Sequence, residues 1–235
     1  MKQPPDLPEP IGAVCPCCKQ TLDKRPKRKK KCPHCGSYIY VRSLPSGNHH
    51  KVLVTEDGAK SIDLERERVR STKRWLKRLD ERFGVSDKDF DRHRKMLRER
   101  FGQEPGDGDV LWSLFHGVLD RSMKDGNSRT LSRLYFEMAR FLYEEGRDFS
   151  HLLVQSHRME LMDYRDVISW GFVERVHIAT KDDRSCQACK RLQGTVLTIE
   201  EALANMPVPC KECTYELRKG SPGWCRCMYL AVLDS

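Results

Sequence analysis

The sequence predicts an α+β fold in which a central helical region separates two small cysteine-rich modules. Three observations support this prediction. All eleven cysteines lie before residue 36 or after residue 185, the hydrophobic period between them is helical, and short alternating runs accompany both cysteine groups. We therefore expect a proline-rich lead with a first cysteine module over residues 1–58, helices over 59–163, and a small cysteine-stapled α+β domain over 164–235.

The composition predicts small domains with modest cores rather than one large enzyme core. The chain has 235 residues, 38% of them hydrophobic and 33% charged, and its mean hydropathy is −0.67. It has no apolar run of about 18 residues and no apolar stretch at its N-terminus, so we expect neither a membrane span nor a secretory signal. In the reducing cytosol that this implies, clustered cysteines indicate metal ligands rather than disulfides.

Two C-x-x-C turns, Cys15-Pro-Cys-Cys18 and Cys32-Pro-His-Cys35, are separated by thirteen residues. Each turn presents two thiolates, and two facing turns supply the tetrahedral sulfur set that Zn²⁺ prefers. A thioredoxin-like redox motif is disfavoured, because such a motif occurs singly in a βαβ pattern. Cys17 could replace a neighbour in the first turn, and His34 is expected as a turn residue. The first module is therefore predicted to be a zinc ribbon with one zinc ion held by Cys15, Cys18, Cys32 and Cys35.

A segment with seven basic residues in eight positions joins the two turns. Residues 1–60 contain twelve basic and five acidic residues, a net charge of +7, and residues 61–100 add +5, whereas 101–180 carry −4. Such a loop can neutralise phosphates without reading bases, so we predict contact with nucleic acid or another polyanion; a solvated loop is the alternative. Tyr38 and Tyr40 could stack bases or form one face of a small sheet. The predicted nucleic-acid contacts are Lys24, Arg25, Lys27, Arg28, Lys29, Lys30 and Lys31.

The hydrophobic pattern next predicts a strand at 51–55 and then a long helix. The helix is expected to begin at Ser61 and to end at Gly84, because glycine readily adopts the left-handed conformation that closes helices. Its apolar face repeats every seven residues, at Ile62, Val69, Leu76 and Phe83.

Two shorter helices are predicted to follow. Ser86 and Asp89 resemble a capping box, and Gly102 provides an end for the helix that they open. A short buried helix is expected over 110–119. The apolar face of the capped helix is predicted to contain Phe90, His93, Leu97 and Phe101.

A helical hairpin and a small α+β unit are predicted for the rest of the chain. Ser128 and Asp148 are the expected N-caps of two antiparallel helices joined by a two-residue link. Beyond them the pattern alternates again and predicts three strands and one short helix. The strands are expected over 173–179, 194–198 and 228–233, and the helix over 199–205.

Six cysteines in the last fifty residues form a second group. They occur as a C-x-x-C, a second C-x-x-C and a final C-x-C, which is more sulfur than one four-coordinate zinc ion requires. Spacing alone favours Cys186, Cys189, Cys210 and Cys213 as the ligands of one zinc ion, as in a zinc ribbon. An alternative is a two-zinc cluster that uses these four together with Cys225 and Cys227.

The segment D-D-R-S-C-x-x-C-x-x-L-x-G over 182–194, the proline-rich turn after it and the terminal C-R-C together resemble a known family. They are similar to the C-terminal domain of the phage Mu protein F-like head-morphogenesis, or minor head protein, family, over roughly residues 165–233. The resemblance implies a phage structural protein without established catalytic activity. Such a protein would act in the host cytoplasm during capsid assembly or genome packaging and delivery, with the virion head interior as a further location.

The resemblance also implies partners and a ligand set. The partners would be portal or other head proteins, with double-stranded DNA as an additional expectation and neither a membrane nor a small-molecule substrate. The implied zinc ligands are Cys186, Cys189, Cys225 and Cys227, with Cys213 as a further cysteine and Cys210 as an extra or substitute ligand. The sequence therefore leaves two different ligand sets open for the second group.

Motifs of common enzyme classes are incomplete or absent in the sequence. Pro209-Cys-Lys-Glu-Cys213 matches half of a deaminase zinc site, but no upstream His-x-Glu or Cys-x-Glu completes it. H-E-x-x-H, the phosphate-binding G-x-x-x-x-G-K-[ST] and G-x-S-x-G do not occur. Asp182 and Asp183 are adjacent on an extended segment, so their side chains are expected on opposite faces and in structural roles with Arg184. We therefore predict a non-enzymatic protein, with a zinc-ribbon DNA-binding accessory or regulatory protein as the alternative.

Overall fold

The computed structural model describes residues 13–45, 51–168, 174–180, 185–218 and 221–232. Over these residues the fold is mixed α+β, with seven helices and eight short strands. The chain divides into two compact units, Met1–Leu111 and Trp112–Ser235. The division into three regions at 58 and 163 remains a prediction.

The first unit begins with a three-stranded antiparallel sheet in the order β1-β2-β3. The hydrophobic cluster beside it is small: its buried members are Cys15, Leu22, Cys32 and Ile39. Two of these four residues are cysteines, so apolar burial alone gives this region little stability. The strands are β1 (Lys30–Lys31), β2 (Tyr38–Ser43) and β3 (Lys51–Val54).

A 28-residue helix, α1 (Glu56–Phe83), follows the sheet directly. The prediction that this helix begins at Ser61 is wrong, because the Thr55 side chain caps it by accepting a hydrogen bond from the Gly58 amide. Its end at Gly84, which has a φ of 65°, is as predicted. Its fully buried residues are Ala59, Trp75 and Leu79, whereas the predicted heptad positions are only partly buried.

Two further helices are α2 (Asp87–Phe101) and α3 (Asp107–Lys124). The predicted capping box of α2 is present, with Ser86 and Asp89 in reciprocal hydrogen bonds. The prediction that Phe101 belongs to a packed face is wrong, because this side chain is 61% exposed at the helix end. Helix α3 is longer than the predicted 110–119, and the boundary between the two units falls within it.

The second unit contains a hairpin of α4 (Ser128–Glu144) and α5 (Ser150–Ile168), which pack along each other as predicted. The N-cap of α4 is Asn127 rather than Ser128, because the Asn127 side chain accepts the Thr130 amide hydrogen bond. Asp148 accepts the Ser150 amide at the start of α5, as expected. Five residues rather than two join the helices.

The rest of the second unit is a small α+β layer packed against α5. A three-stranded antiparallel sheet has the order β5-β4-β8, and a separate two-stranded ladder joins β6 and β7. The sheet shares its core with the hairpin: Leu161 of α5 belongs to the same buried cluster as Ile178 and Tyr229. The elements are β4 (Arg175–Ala179), α6 (Gln187–Leu192), β5 (Val196–Thr198), α7 (Ile199–Asn205), β6 (Glu216–Arg218), β7 (Ser221–Pro222) and β8 (Met228–Val232).

Hydrogen bonds between elements fix the position of the last strand. The Tyr164 hydroxyl donates to the Tyr229 carbonyl at 3.2 Å, and the Val208 amide donates to the Tyr229 hydroxyl at 3.3 Å.

None of the helices described is both long enough and apolar enough to traverse a lipid bilayer.

Candidate metal centres

The structure brings four thiols of the first unit together, which we name the N-terminal cluster: Cys15, Cys18, Cys32 and Cys35. Their sulfur atoms all lie within 4.8 Å of one another. Two pairs that cross between the turns, Cys15–Cys35 and Cys18–Cys32, are separated by 3.9 and 3.8 Å. A tetrahedral ion with metal–sulfur bonds of about 2.3 Å requires sulfur–sulfur edges of about 3.8 Å. The predicted ligand set of the first module therefore has the geometry to hold one metal ion.

Two backbone turns of the same form place these thiols. The Lys19 amide donates to the Cys15 carbonyl and the Gly36 amide to the Cys32 carbonyl, each at 3.0 Å. Both donors have a positive φ, 64° for Lys19 and 73° for Gly36. A lysine in this conformation is unfavourable, so the first turn stores some strain that glycine avoids in the second.

Backbone amides stabilise the thiolate form at selected positions of the N-terminal cluster. Burial opposes ionisation of Cys15, but amide hydrogen bonds from Cys18 and Cys17 outweigh it and lower its pKa to about 6. The Ser37 amide lowers the pKa of Cys35. The Gln20 amide favours the Cys18 thiolate, yet burial and the neighbouring thiols raise the pKa of Cys18 to about 12. Crowded thiols therefore cannot all ionise without a cation between them.

The remaining candidate ligands of this region lie outside the cluster. Cys17 is exposed and belongs to no group of candidate ligands among the described residues. The His34 ring lies 3.1 Å from the Thr21 carbonyl, in the role of a turn residue.

Five thiols of the second unit form the C-terminal cluster: Cys186, Cys189, Cys213, Cys225 and Cys227. They make two overlapping groups, Cys186–Cys189–Cys213 and Cys189–Cys225–Cys227, each with all sulfur atoms within 4.8 Å. Cys189 is common to both groups. An ion on the first group needs a fourth ligand, which the second group can supply.

Cys225 and Cys227 are the candidates for that fourth ligand because both lie within 4.8 Å of Cys189, but neither forms a group with all three thiols of the first set. The Cys186–Cys213 and Cys189–Cys225 sulfur pairs are 3.9 and 3.8 Å apart, which matches the two crossing pairs of the N-terminal cluster. The pKa of Cys225 is lowered to about 5, mainly because the Cys227 side chain donates a hydrogen bond to its sulfur. Burial opposes this shift, and hydrogen bonds from the Cys227 and Cys210 amides add to it. The hydrogen bond to Cys225 and burial raise the pKa of Cys227, which therefore remains a thiol donor.

Three chain segments position the C-terminal cluster. Cys186 precedes α6 and Cys189 lies in its first turn, where amides of Cys189 and Thr214 outweigh burial and lower the Cys186 pKa to about 7. The pKa of Cys213 is raised to about 11, and burial is the largest cause. A hydrogen bond from the Tyr215 amide acts in the opposite direction. Cys225 lies in the segment between β7 and β8. The site therefore exists only when the unit is folded.

The structure shows which thiols of the two ligand sets derived from the sequence lie close together. Cys210, which spacing favoured, belongs to neither group; its backbone amide instead donates to the Cys225 sulfur at 3.2 Å. Cys227, which the resemblance implied, belongs to the group with Cys189 and Cys225. The choice between the two ligand sets remains a prediction, and the lowered pKa of Cys225 favours it over Cys227 as a fourth ligand.

The backbone amides that donate hydrogen bonds to these sulfur atoms were not predicted from the sequence. Cys15, Cys18, Cys35, Cys213 and Cys225 each accept a hydrogen bond from the backbone amide two residues later. Four of these cysteines belong to C-x-x-C turns, so part of the signal was available in the sequence, because such turns direct nearby backbone amides towards the sulfur atoms. Asp182, Asp183 and Arg184, which were expected beside the cluster, lie outside the described residues.

The seven basic residues predicted to contact nucleic acid lie on or next to the first sheet, and all are exposed. The guanidinium of Arg25 donates to the Lys51 carbonyl of β3. The ammonium groups of Lys29 and Lys31 lie over tyrosine rings of β2.

Comparison with family models, with curated proteins and with solved structures finds no match for this chain.

Proposed function

We propose that each cluster holds one zinc ion and that the protein is a structural component of phage head assembly. Four thiols at tetrahedral spacing in the N-terminal cluster, and two overlapping groups of three thiols in the C-terminal cluster, favour zinc among the ions common in cells. An ion held by four sulfur ligands has no coordination site left for a water or a substrate, as catalytic zinc requires. The ions therefore act as cross-links in a non-enzymatic protein.

One observation carries the assignment to head assembly: the separate parts of the motif that resembles the Mu F-like family meet at one place. Cys186 and Cys189 lie at the start of α6, and Cys225, in the segment before β8, contacts Cys189 across 36 residues of chain. Gly194, the last residue of that motif, has a φ of 78° and donates its amide to Ile178 of β4. A motif whose distant parts share one core supports a real domain rather than a chance match of short patterns.

In this role the protein acts in the host cytoplasm while heads are assembled, and it contacts the portal or other head proteins. The C-terminal cluster stabilises the surface that these partners meet, because Cys189, Cys225 and Cys227 belong to the same buried core as Ile178 and Tyr229. Loss of the ion is therefore expected to impair partner contact as well as folding.

The test is to look for the protein in purified proheads and mature heads of its phage by mass spectrometry. We expect the wild-type chain in at least one of them. The Cys225→Ser variant is expected to be incorporated several-fold less, whereas the matched Cys227→Ser variant, which spares the four proposed ligands, is incorporated normally. Absence of the wild-type chain from both particles would contradict the proposal.

The second candidate function, a DNA-binding accessory or regulatory protein, is favoured by the basic residues of the first sheet. The two functions differ in where the protein is found during infection. A regulator would be recovered on particular DNA sites and not in particles, and this distribution would replace the head-assembly proposal.

A further inference from the structure

The basic residues around β1 are divided between the two faces of the first sheet. Lys31 pairs with Tyr38 and Lys30 with Ile39 in the antiparallel register. Side chains of directly paired residues lie on the same face, and the face alternates along a strand. Lys29 and Lys31 therefore share one face with the two tyrosines, and Lys30 lies on the other.

On the first face, tyrosine rings hold the lysine ammonium groups in place. The Lys29 ammonium lies 4.3 Å from the Tyr38 ring centre and 4.7 Å from that of Tyr40, and the Lys31 ammonium lies 5.4 Å from Tyr38. A hydrogen bond to Tyr40 is the largest of the effects that raise the pKa of Lys29. Two positive charges are thus positioned before any partner arrives.

On the other face, lysines surround a cleft of about 230 Å³ whose floor contains the buried residues Leu22 and Ile39. Its lining includes Lys24 and Lys30, the adjacent strand residue Lys31, whose ammonium lies over Tyr38 on the first face, and one acidic residue, Asp23. Positive groups therefore predominate at its rim.

Two arginines of the same region are already engaged within the unit. Arg25 donates to the Lys51 carbonyl, and Arg42 forms an ion pair with Asp63 of α1, with the closest atoms 2.9 Å apart. Arg25, one of the predicted nucleic-acid contacts, therefore has part of its guanidinium engaged with β3.

We propose that Lys29 and Lys31, on the tyrosine face of this sheet, form a surface that binds the phosphate backbone of double-stranded DNA without reading its sequence, while Lys24 and Lys30 add positive charge from the other face. Point charges on a strand neutralise phosphates and release counterions, which is the main source of sequence-independent affinity. The proposal deepens the proposed function by naming a partner of a head protein, and it rests only on the folded first sheet.

The tyrosines decide between double-stranded and single-stranded partners. Proteins that bind single strands stack bases on open aromatic faces. Here Lys29 and Lys31 lie over the Tyr38 ring, and Lys29 and Arg42 lie over the Tyr40 ring. Cations rather than bases occupy these rings, so the surface is suited to backbone contact with a duplex.

The experiment measures binding of the full chain to a short random-sequence duplex by fluorescence anisotropy at several salt concentrations. Each phosphate contact contributes about −0.9 to the slope of log affinity against log salt. The Lys29→Gln/Lys31→Gln variant is therefore expected to make the slope shallower by about 1.8. Zinc content and circular dichroism show whether this variant is still folded.

The matched control is Lys77→Gln/Lys95→Gln, which removes the same charge from α1 and α2, where these lysines pair with Glu81 and Glu99. Its slope is expected to stay near that of the wild type. An equal loss in both variants, or no binding to duplex at low salt, would overturn the proposal. Tighter binding to a single strand, or displacement by polyglutamate at equal charge, would overturn the choice of partner.

The result is separable from the head-assembly test. If the chain binds duplex DNA through these lysines but is absent from particles, the DNA-binding proposal is supported and the head-assembly proposal is contradicted. If the chain is present in particles but the lysine variant has an unchanged salt slope, the head-assembly proposal is supported and the DNA-binding proposal is contradicted.

Discussion

The two cysteine clusters have similar local geometry but differ in how much of the fold surrounds them. The N-terminal cluster joins two turns of one short segment, and among the described residues its buried hydrophobic neighbours are Leu22 and Ile39. The C-terminal cluster joins three distant segments and lies in a core that includes Ile178, Ile199 and Tyr229. If each cluster holds an ion as proposed, the first region should depend on its ion for folding, whereas the second should add an ion to a core that apolar burial already supports.

Removal of metal is expected to have the largest effect and to separate the two regions. Ion binding to a structural zinc site of this size contributes about 10 kcal/mol, far more than the apolar contacts of the first sheet. With a strong chelator, amide hydrogen exchange should become fast at Leu22 and Ile39 while Leu134 and Leu161 stay protected. Equal protection in both regions after metal removal would show that the first region does not depend on an ion more than the second does.

Single cysteine variants test which thiols hold the proposed ion in the second unit. Cys225→Ser removes a proposed ligand and should lower the zinc content of the purified chain from about two ions to about one. Cys227→Ser and Cys210→Ser change neighbouring thiols and should leave it near two. Elemental analysis under reducing conditions measures the three variants side by side. Loss of an ion in Cys227→Ser with none in Cys225→Ser would reverse the assignment of the fourth ligand.

A hydrogen bond away from the ion tests whether the second unit has stability of its own. Tyr229→Phe leaves the buried Val208 amide without its acceptor, which should cost about 1–3 kcal/mol in the free energy of unfolding. Urea unfolding of the zinc-loaded chain, followed by helix content, measures this change. Tyr135→Phe, at a half-buried position of α4, is the matched control and should cost less. No difference between the two variants would show that the Tyr229 hydroxyl does not stabilise the unit.

The smallest expected effect is a difference in the pH at which the clusters release metal. The pKa is lowered to about 6 at Cys15 in one cluster and to about 5 at Cys225 in the other. Both values are below the ordinary thiol value, so the stabilisation that each thiolate contributes is complete above that value and is lost as pH falls through the folded-state pKa. The N-terminal cluster should therefore release its ion first on acidification.

Chains with one intact cluster measure this order. Cys189→Ser leaves the N-terminal cluster and Cys32→Ser leaves the C-terminal one, and a zinc-responsive dye reports release from each. The reverse order would show that burial of the clusters, rather than amide bonding of these two thiolates, controls release.

Local features of the fold were predictable wherever neighbouring residues decide the structure. The capping box at Ser86 and Asp89, the end of α1 at Gly84 and the short helix over 199–205 follow from side chains within a few residues of each boundary. The four thiols of the N-terminal cluster were predictable for the same reason, because each C-x-x-C turn places its own pair and only one short loop separates the pairs.

Predictions failed where a choice existed between equivalent neighbours or between distant partners. Asn127 and Ser128 are both good caps, and only the path of the chain into α4 selects the first. Phe101 has the spacing of a buried residue, but α2 ends there with the side chain in solvent.

The concentration of sulfur at two places, the C-x-x-C turns at each place and the positive charge of the first hundred residues can all be seen in the amino-acid sequence. Which thiols meet in the second unit, where Cys225 contacts Cys189 and Cys210 belongs to neither group, became clear from the fold. The difference is one of range, because a turn of four residues sets its own geometry, whereas contacts across 36 residues depend on how α6, α7 and β8 pack around Tyr229.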